Sequence, residues 1–151
     1  GNSDLVYPCV RRNGLLLRFA SERLRGDKDV VEEAVRHDGM ALEFASEAVQ
    51  DTEDVVVKAV TQCGAALMFA SLRLRDHDRV LEAAIRQDPM SFEHAAPRWR
   101  DSSAEAHPDK ELVLNAVSRD GRVLKHAGEL RKDRDIVIAA CMQCGAALAE
   151  A

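Results

Sequence analysis

Four groups of residues in this 151-residue chain have types and spacings that could do chemistry. Cys141 and Cys144 form a Cys-x-x-Cys, the spacing of a thiol redox pair or of half a zinc site. His94 and His126 could share a metal ion or make a pH-sensitive contact, because imidazole ligates cations and titrates near neutrality. Arg25, Arg75, Arg100 and Arg131 recur as if to line a groove for a polyanion. Carboxylates are abundant, among them Asp27, Asp29, Asp76, Asp78, Asp101, Asp109, Asp133 and Asp135. For acid–base catalysis two of them would have to lie close together and shielded from water.

What any of these can do depends on the elements that carry them, and those elements repeat. A 25-residue unit runs from Gly14 to Asp38, from Gly39 to Cys63 and from Gly64 to Asp88. A fourth copy, 89–120, carries seven extra residues, and a fifth, 121–144, is one residue short. Residues 4–13 match a second half-unit and 145–151 a first half. Self-similarity at this period marks a stacked array in which no unit buries its own apolar face alone. The whole chain, 1–151, is therefore expected to form one helical-repeat domain.

Within the unit, positions 4, 7 and 11 are apolar: Leu42, Ala45 and Val49 in the second copy, Phe92, Ala95 and Trp99 in the fourth. That spacing is one face of a helix. Positions 17, 18, 21 and 22 hold Val55, Val56, Ala59 and Val60, a second helical stripe. Asp27, Thr52, Asp78 and Asp133 stand at or just inside the start of the second helix, as N-caps do. Gly39, Gly64, Pro89, Gly121 and Gly145 open the units, Gly being suited to a left-handed helix end and Pro to a first turn. The expected fold is all-α, an α-solenoid of tandem helical hairpins with two helices of about ten residues each.

The unit pattern A-L-x-F-A-S-x-x-L-R-x-D-x-x-V-V-x-x-A-V-x-x-D-G, carried by Ala41-Leu42-Glu43-Phe44-Ala45-Ser46 and by Asp29-Val30-Val31-Glu32-Glu33-Ala34-Val35, resembles the tandem repeat known as domain of unknown function 4116. The resemblance covers residues 4–151 and implies a helical-repeat fold with no assigned activity. The fourth copy departs from it: His94 replaces Phe, and Pro97 enters the first helix.

Aligned by unit, the chemical candidates become mostly structural. Cys141 falls in the column of Val35, Val60, Ile85 and Val117, Cys144 in that of Cys63, and Cys9 in that of Ala34 and Ala59. Core and boundary packing is favoured over a metal or a redox pair. His94 and His126 share the column of Phe19, Phe44 and Phe69, where two amphipathic rings can fill an aromatic row. The arginines end first helices, where a cation complements the dipole. A net charge of −5 disfavours nucleic acid, which needs a dense cationic surface. Phosphate loops, nucleophile elbows and HExxH motifs are absent from the sequence. No apolar run approaches the ~20 residues that span a bilayer, and no secretory leader is read at the start. Unpaired thiols favour a reducing, intracellular setting.

The sequence thus predicts a non-catalytic scaffold that mediates protein–protein interaction, with no cofactor and no metal. The alternative is a structural spacer or accessory subunit of a larger assembly; a nucleic-acid reader or a hidden enzyme ranks lower. Partner contacts are expected at Ser102, Ser103, Glu105 and His107 in the insertion, and at Leu114, Ile138 and Met142. The last three belong to positions 19 and 23, which read Glu32, Val57, Glu82, Leu114, Ile138 and Arg36, Thr61, Arg86, Ser118, Met142. Those columns turn apolar toward the C-terminal copies and either pack on a following unit or face a partner. Apolar end columns (Leu5, Val6, Val10; Leu148, Ala151) raise the expectation of a longer array or of end-to-end self-association.

Overall fold

The computed structural model describes residues 3–101 and 110–144. All regular structure among them is helical. Six ten-residue α-helices form one layer: α1 Ser3–Arg12, α2 Lys28–His37, α3 Glu53–Gln62, α4 Asp78–Gln87, α5 Lys110–Arg119 and α6 Arg134–Gln143. Consecutive members pack against one another. From α2 onward these are the second arms of the units, and α1 is the half-unit that precedes them. The register lost in the insertion resumes at Lys110, the unit position where α2, α3 and α4 also begin.

The first arm differs in detail from a ten-residue helix. It opens as a six-residue 3-10 helix, Gly39–Phe44 in the second unit, and then breaks. Ala45 and Ser46 are extended, and a single α-turn, Glu47–Gln50, follows. In a 3-10 helix every third residue eclipses, so positions 1, 4 and 7 share a side. Gly39, Leu42 and Ala45 are accordingly all buried. The step of three from position 4 to 7 fits either helix type, which is why the apolar pattern alone did not separate them.

The break has a structural use. It frees the position-8 N–H, which donates to the position-12 carbonyl of the preceding unit. Ser46 N–H bonds Arg25 O at 2.9 Å, Ser71 N–H bonds Gln50 O at 3.1 Å, and Ala96 N–H bonds Arg75 O at 3.1 Å. A continuous α-helix would have kept that donor for itself. Pro97 is accommodated for the same reason: it is the first residue of the fourth unit's α-turn, Pro97–Asp101, where a missing N–H costs nothing.

The unit boundary also departs from expectation. Asp38 is extended, its N–H bonds Ala34 O at 3.0 Å, and its carboxylate accepts the Met40 N–H at 3.0 Å. One residue closes α2 and caps the next 3-10 helix. Asn13, Asp88 and Asp120 do the same for Leu15, Met90 and Arg122. The described boundary glycines, Gly14, Gly39, Gly64 and Gly121, are not left-handed. A Cβ on Gly39 would lie 2.4 Å from Ala59 O, and one on Gly14 2.2 Å from Ala34 O. Gly is required there by close approach of the first arm to the second helix. Among the described residues the one positive φ, 52°, belongs to Gly128, where the fifth unit absorbs its missing residue.

The core is a single run of small and branched side chains between the two layers. Leu42, Val30, Val31 and Val55 are fully buried and Ala45 nearly so, and Trp99 takes the position of Leu24 and Leu74 with no exposure. No helix among the described residues is long and apolar enough to cross a membrane.

Candidate functional site

The outward side of the ten-residue helices is furrowed. Stacking α2, α3 and α4 leaves two shallow grooves that share one wall, because side chains on adjacent helices meet in the core and diverge outside it. Between α3 and α4 a furrow of about 470 Å³ is lined by Val57, Thr61, Arg79, Ala83 and Arg86 with Glu82 and Gln87. Between α2 and α3 a second, of about 430 Å³, is lined by Arg36, Val57, Lys58, Thr61 and Gln62. Val57 and Thr61 are positions 19 and 23. These columns therefore line grooves on the outer face, Val57 half-buried against the core and Thr61 exposed.

Charge pairs cross between neighbouring helices on this face. Lys58 bonds Glu32, Arg79 Nη1 lies 2.7 Å from Glu53 Oε1, and Lys110 Nζ lies 2.8 Å from Asp133 Oδ2. The Lys58 ammonium holds the Glu32 carboxyl below the usual carboxylate range, and Lys110 does the same for Asp133. Between α4 and α5, Arg119 instead donates to the last carbonyls of α4, at 2.5 Å to Ile85 O and 2.8 Å to Arg86 O. On the first-arm side, Arg73 and the Ser71 hydroxyl both bond Asp51 of the preceding unit, and Arg98 bonds Asp76. The Ser71 and Arg73 bonds lower the Asp51 carboxyl in turn. Of the recurring arginines, Arg75 joins this system: its Nε donates to His94 O of the next unit at 2.6 Å, a specific bond in addition to any dipole effect.

Of the residues expected to contact partners, Ser102, Ser103, Glu105 and His107 lie outside the described residues. Leu114 is half-buried against the core, while Ile138 and Met142 are 47% and 82% exposed on α6. Leu114, Ile138 and Met142 thus occupy the unit positions that line the furrows of α3, on the two helices farther along.

Cys141 is half-exposed, short of the full burial its column has in earlier units, and Cys9 is exposed. Both sit on the first or last described helix, so no described neighbour covers their outer side. His94 and His126 do come together, on a common carboxylate: His94 Nε2 is 3.4 Å from Glu93 Oε1, and His126 Nε2 is 3.5 Å from Glu93 Oε2. Among the described residues no group of three His, Cys, Asp or Glu is arranged to hold a metal ion.

A second surface escaped the sequence reading. On the 3-10 side, Phe19 is 73% and Leu72 64% exposed, with Met68, Leu15 and Leu16 partly so and the Arg18 guanidinium 4.7 Å from the Phe19 ring centre. Phe44 and Phe69, at the same unit position 6, are half-buried against the core, so the column by itself did not single out Phe19.

A family model described as a domain of unknown function (DUF4116) matches residues 2–50, 52–100 and 109–151. Each match spans close to two of the 25-residue units. Comparison with curated proteins and with solved structures returned no match.

Proposed function

The chain belongs to the DUF4116 family, and on that premise we propose that it is a non-catalytic helical-repeat scaffold that mediates protein–protein interaction. The observation that carries this reading is the furrowed outer face of α2, α3 and α4, apolar along its floor and charged along its rims. Stacked helical repeats present extended surfaces of this kind, and a rigid surface binds without losing conformational entropy of its own. The bonds between units support rigidity: a backbone bond and side-chain pairs link one unit to the next on both sides of the array. The charged side chains named above serve pairing and capping, a use that asks nothing of catalysis.

The alternative is a structural spacer, which the same inter-unit bonds would suit. The two readings predict different contact maps. Cross-linking of the purified chain to native extract, followed by peptide mapping, should place partner cross-links on α2, α3 and α4, for example at Lys58. Cross-links confined to the first and last helices would favour the spacer and reject the interaction module.

A further inference from the structure

We propose that the paired furrows on α2, α3 and α4 dock an acidic amphipathic helix of a partner protein. The proposal rests on the interaction reading above and names the chemistry of its partner. The floor selects for apolar side chains: Val57 and Ala83 line it, and Thr61 sits one turn from Val57 on the shared wall. Val57 and Thr61 are four residues apart, the spacing at which a partner helix presents its own i, i+4 anchors.

The rims select for anions. The two linings together contain Arg36, Lys58, Arg79 and Arg86 against one carboxylate, Glu82. All four of these cations already answer carboxylates of the chain, and three of those carboxylates are set back. Arg36, Lys58 and Arg79 are 66%, 50% and 63% exposed, while Glu33, Glu32 and Glu53 behind them are 15%, 24% and 33% exposed. The outermost charge on the furrows is therefore positive, in a chain whose net charge is −5. Exposed pairs such as Arg86–Glu82 are weak enough to exchange one carboxylate for another at little cost. Among the described residues no aromatic side chain lines either furrow, so they offer no base-stacking platform for single-stranded nucleic acid there.

The local and global charges oppose each other, and that makes the test sharp. A fluorescein-labelled helical peptide with leucine at a and d positions and glutamate elsewhere is titrated with the intact chain and followed by fluorescence anisotropy. Its sister has lysine in place of every glutamate. Net charge alone would favour the lysine peptide; the furrows require the glutamate peptide to bind about tenfold tighter or more, with affinity falling as salt rises.

Replacing both Arg79→Glu and Arg86→Glu should weaken the glutamate peptide about tenfold. Thr61→Asp should weaken it as well, and Leu72→Asp on the other side of the molecule should leave it unchanged. All these side chains are exposed, and unaltered circular dichroism melts establish that the variants fold. Equal or tighter binding of the lysine peptide overturns the proposal, as does sensitivity to Leu72→Asp or insensitivity to Arg79→Glu with Arg86→Glu. Displacement of the bound peptide by poly(U) RNA overturns it in favour of a polyanion site. Failure of the glutamate peptide to bind removes the acidic-helix assignment alone. The interaction reading itself stands or falls on the cross-linking map.

Discussion

A Cβ placed on Gly39 meets the Ala59 carbonyl oxygen at 2.4 Å, a backbone atom that cannot swing aside. The same atom placed on Gly26 meets nothing closer than 3.5 Å, and Gly26 already has a φ of −94°. Two Gly→Ala substitutions should therefore have opposite signs. Gly39→Ala should destabilise by roughly 1–3 kcal/mol through overpacking. Gly26→Ala should be neutral or stabilise by up to about 1 kcal/mol by restricting the unfolded chain. Thermal melts of the two variants decide it, and equal shifts would mean that the boundary glycine is not a contact residue. Leu42, fully buried between the layers, gives a third value at this scale: Leu42→Ala should cost about 2–5 kcal/mol. A melt unchanged by that substitution would place the core elsewhere.

Among the elements, the inter-unit pairs set a pH dependence whose sign follows from their carboxylates. Glu32 is held below its ordinary value chiefly by the Lys58 bond, Asp51 by Ser71 and then Arg73, and Asp133 by Lys110. A carboxyl depressed in the folded state contributes stability that is complete above the unfolded value of about 4 and is lost as pH falls through the folded value. The melting temperature should stay nearly level from neutrality to pH ~5 with respect to these groups and decline below pH ~4. Asp51→Asn combined with Ser71→Ala should flatten part of that decline, because the lost bonds no longer titrate. A decline that keeps its shape in the double variant would assign it to other groups. These pairs are partly exposed, so molar salt should reduce their contribution at neutral pH.

For the molecule as a whole, stacking in one dimension means that each unit is stabilised mainly by its neighbours. The fourth unit tests how much irregularity the stack tolerates. Its α5 begins at the same unit position as α2, α3 and α4 and is bolted to α4 by Arg119. Deleting residues 102–108 restores the 25-residue period and should leave helicity and melting temperature nearly unchanged, since loop length alters closure entropy only slowly. A large loss of helix would make the insertion a structural part of the array. Arg119→Ala, by contrast, should separate α4 from α5, read as faster hydrogen exchange at the C-terminal turn of α4 with little change in α2 or α3.

What the sequence determined by itself was everything that repetition and burial specify. The period, the helical class, the resumption of register after the insertion and the buried stripes through Leu42, Val55 and Val56 were all legible, because apolar residues recurring at fixed unit positions can be buried in only one phase. Only the tertiary structure decided how the first arm runs. A step of three residues satisfies both helix types, and in the second, third and fourth units the break after the 3-10 helix lets the position-8 N–H reach the position-12 carbonyl of the unit before. The reason for Gly at the boundary was likewise invisible, since a close approach to Ala59 O exists only once the two arms are packed. The furrows come from the same source. Val57, Thr61, Arg79 and Arg86 are scattered over two units in sequence, and stacking alone brings them to one surface.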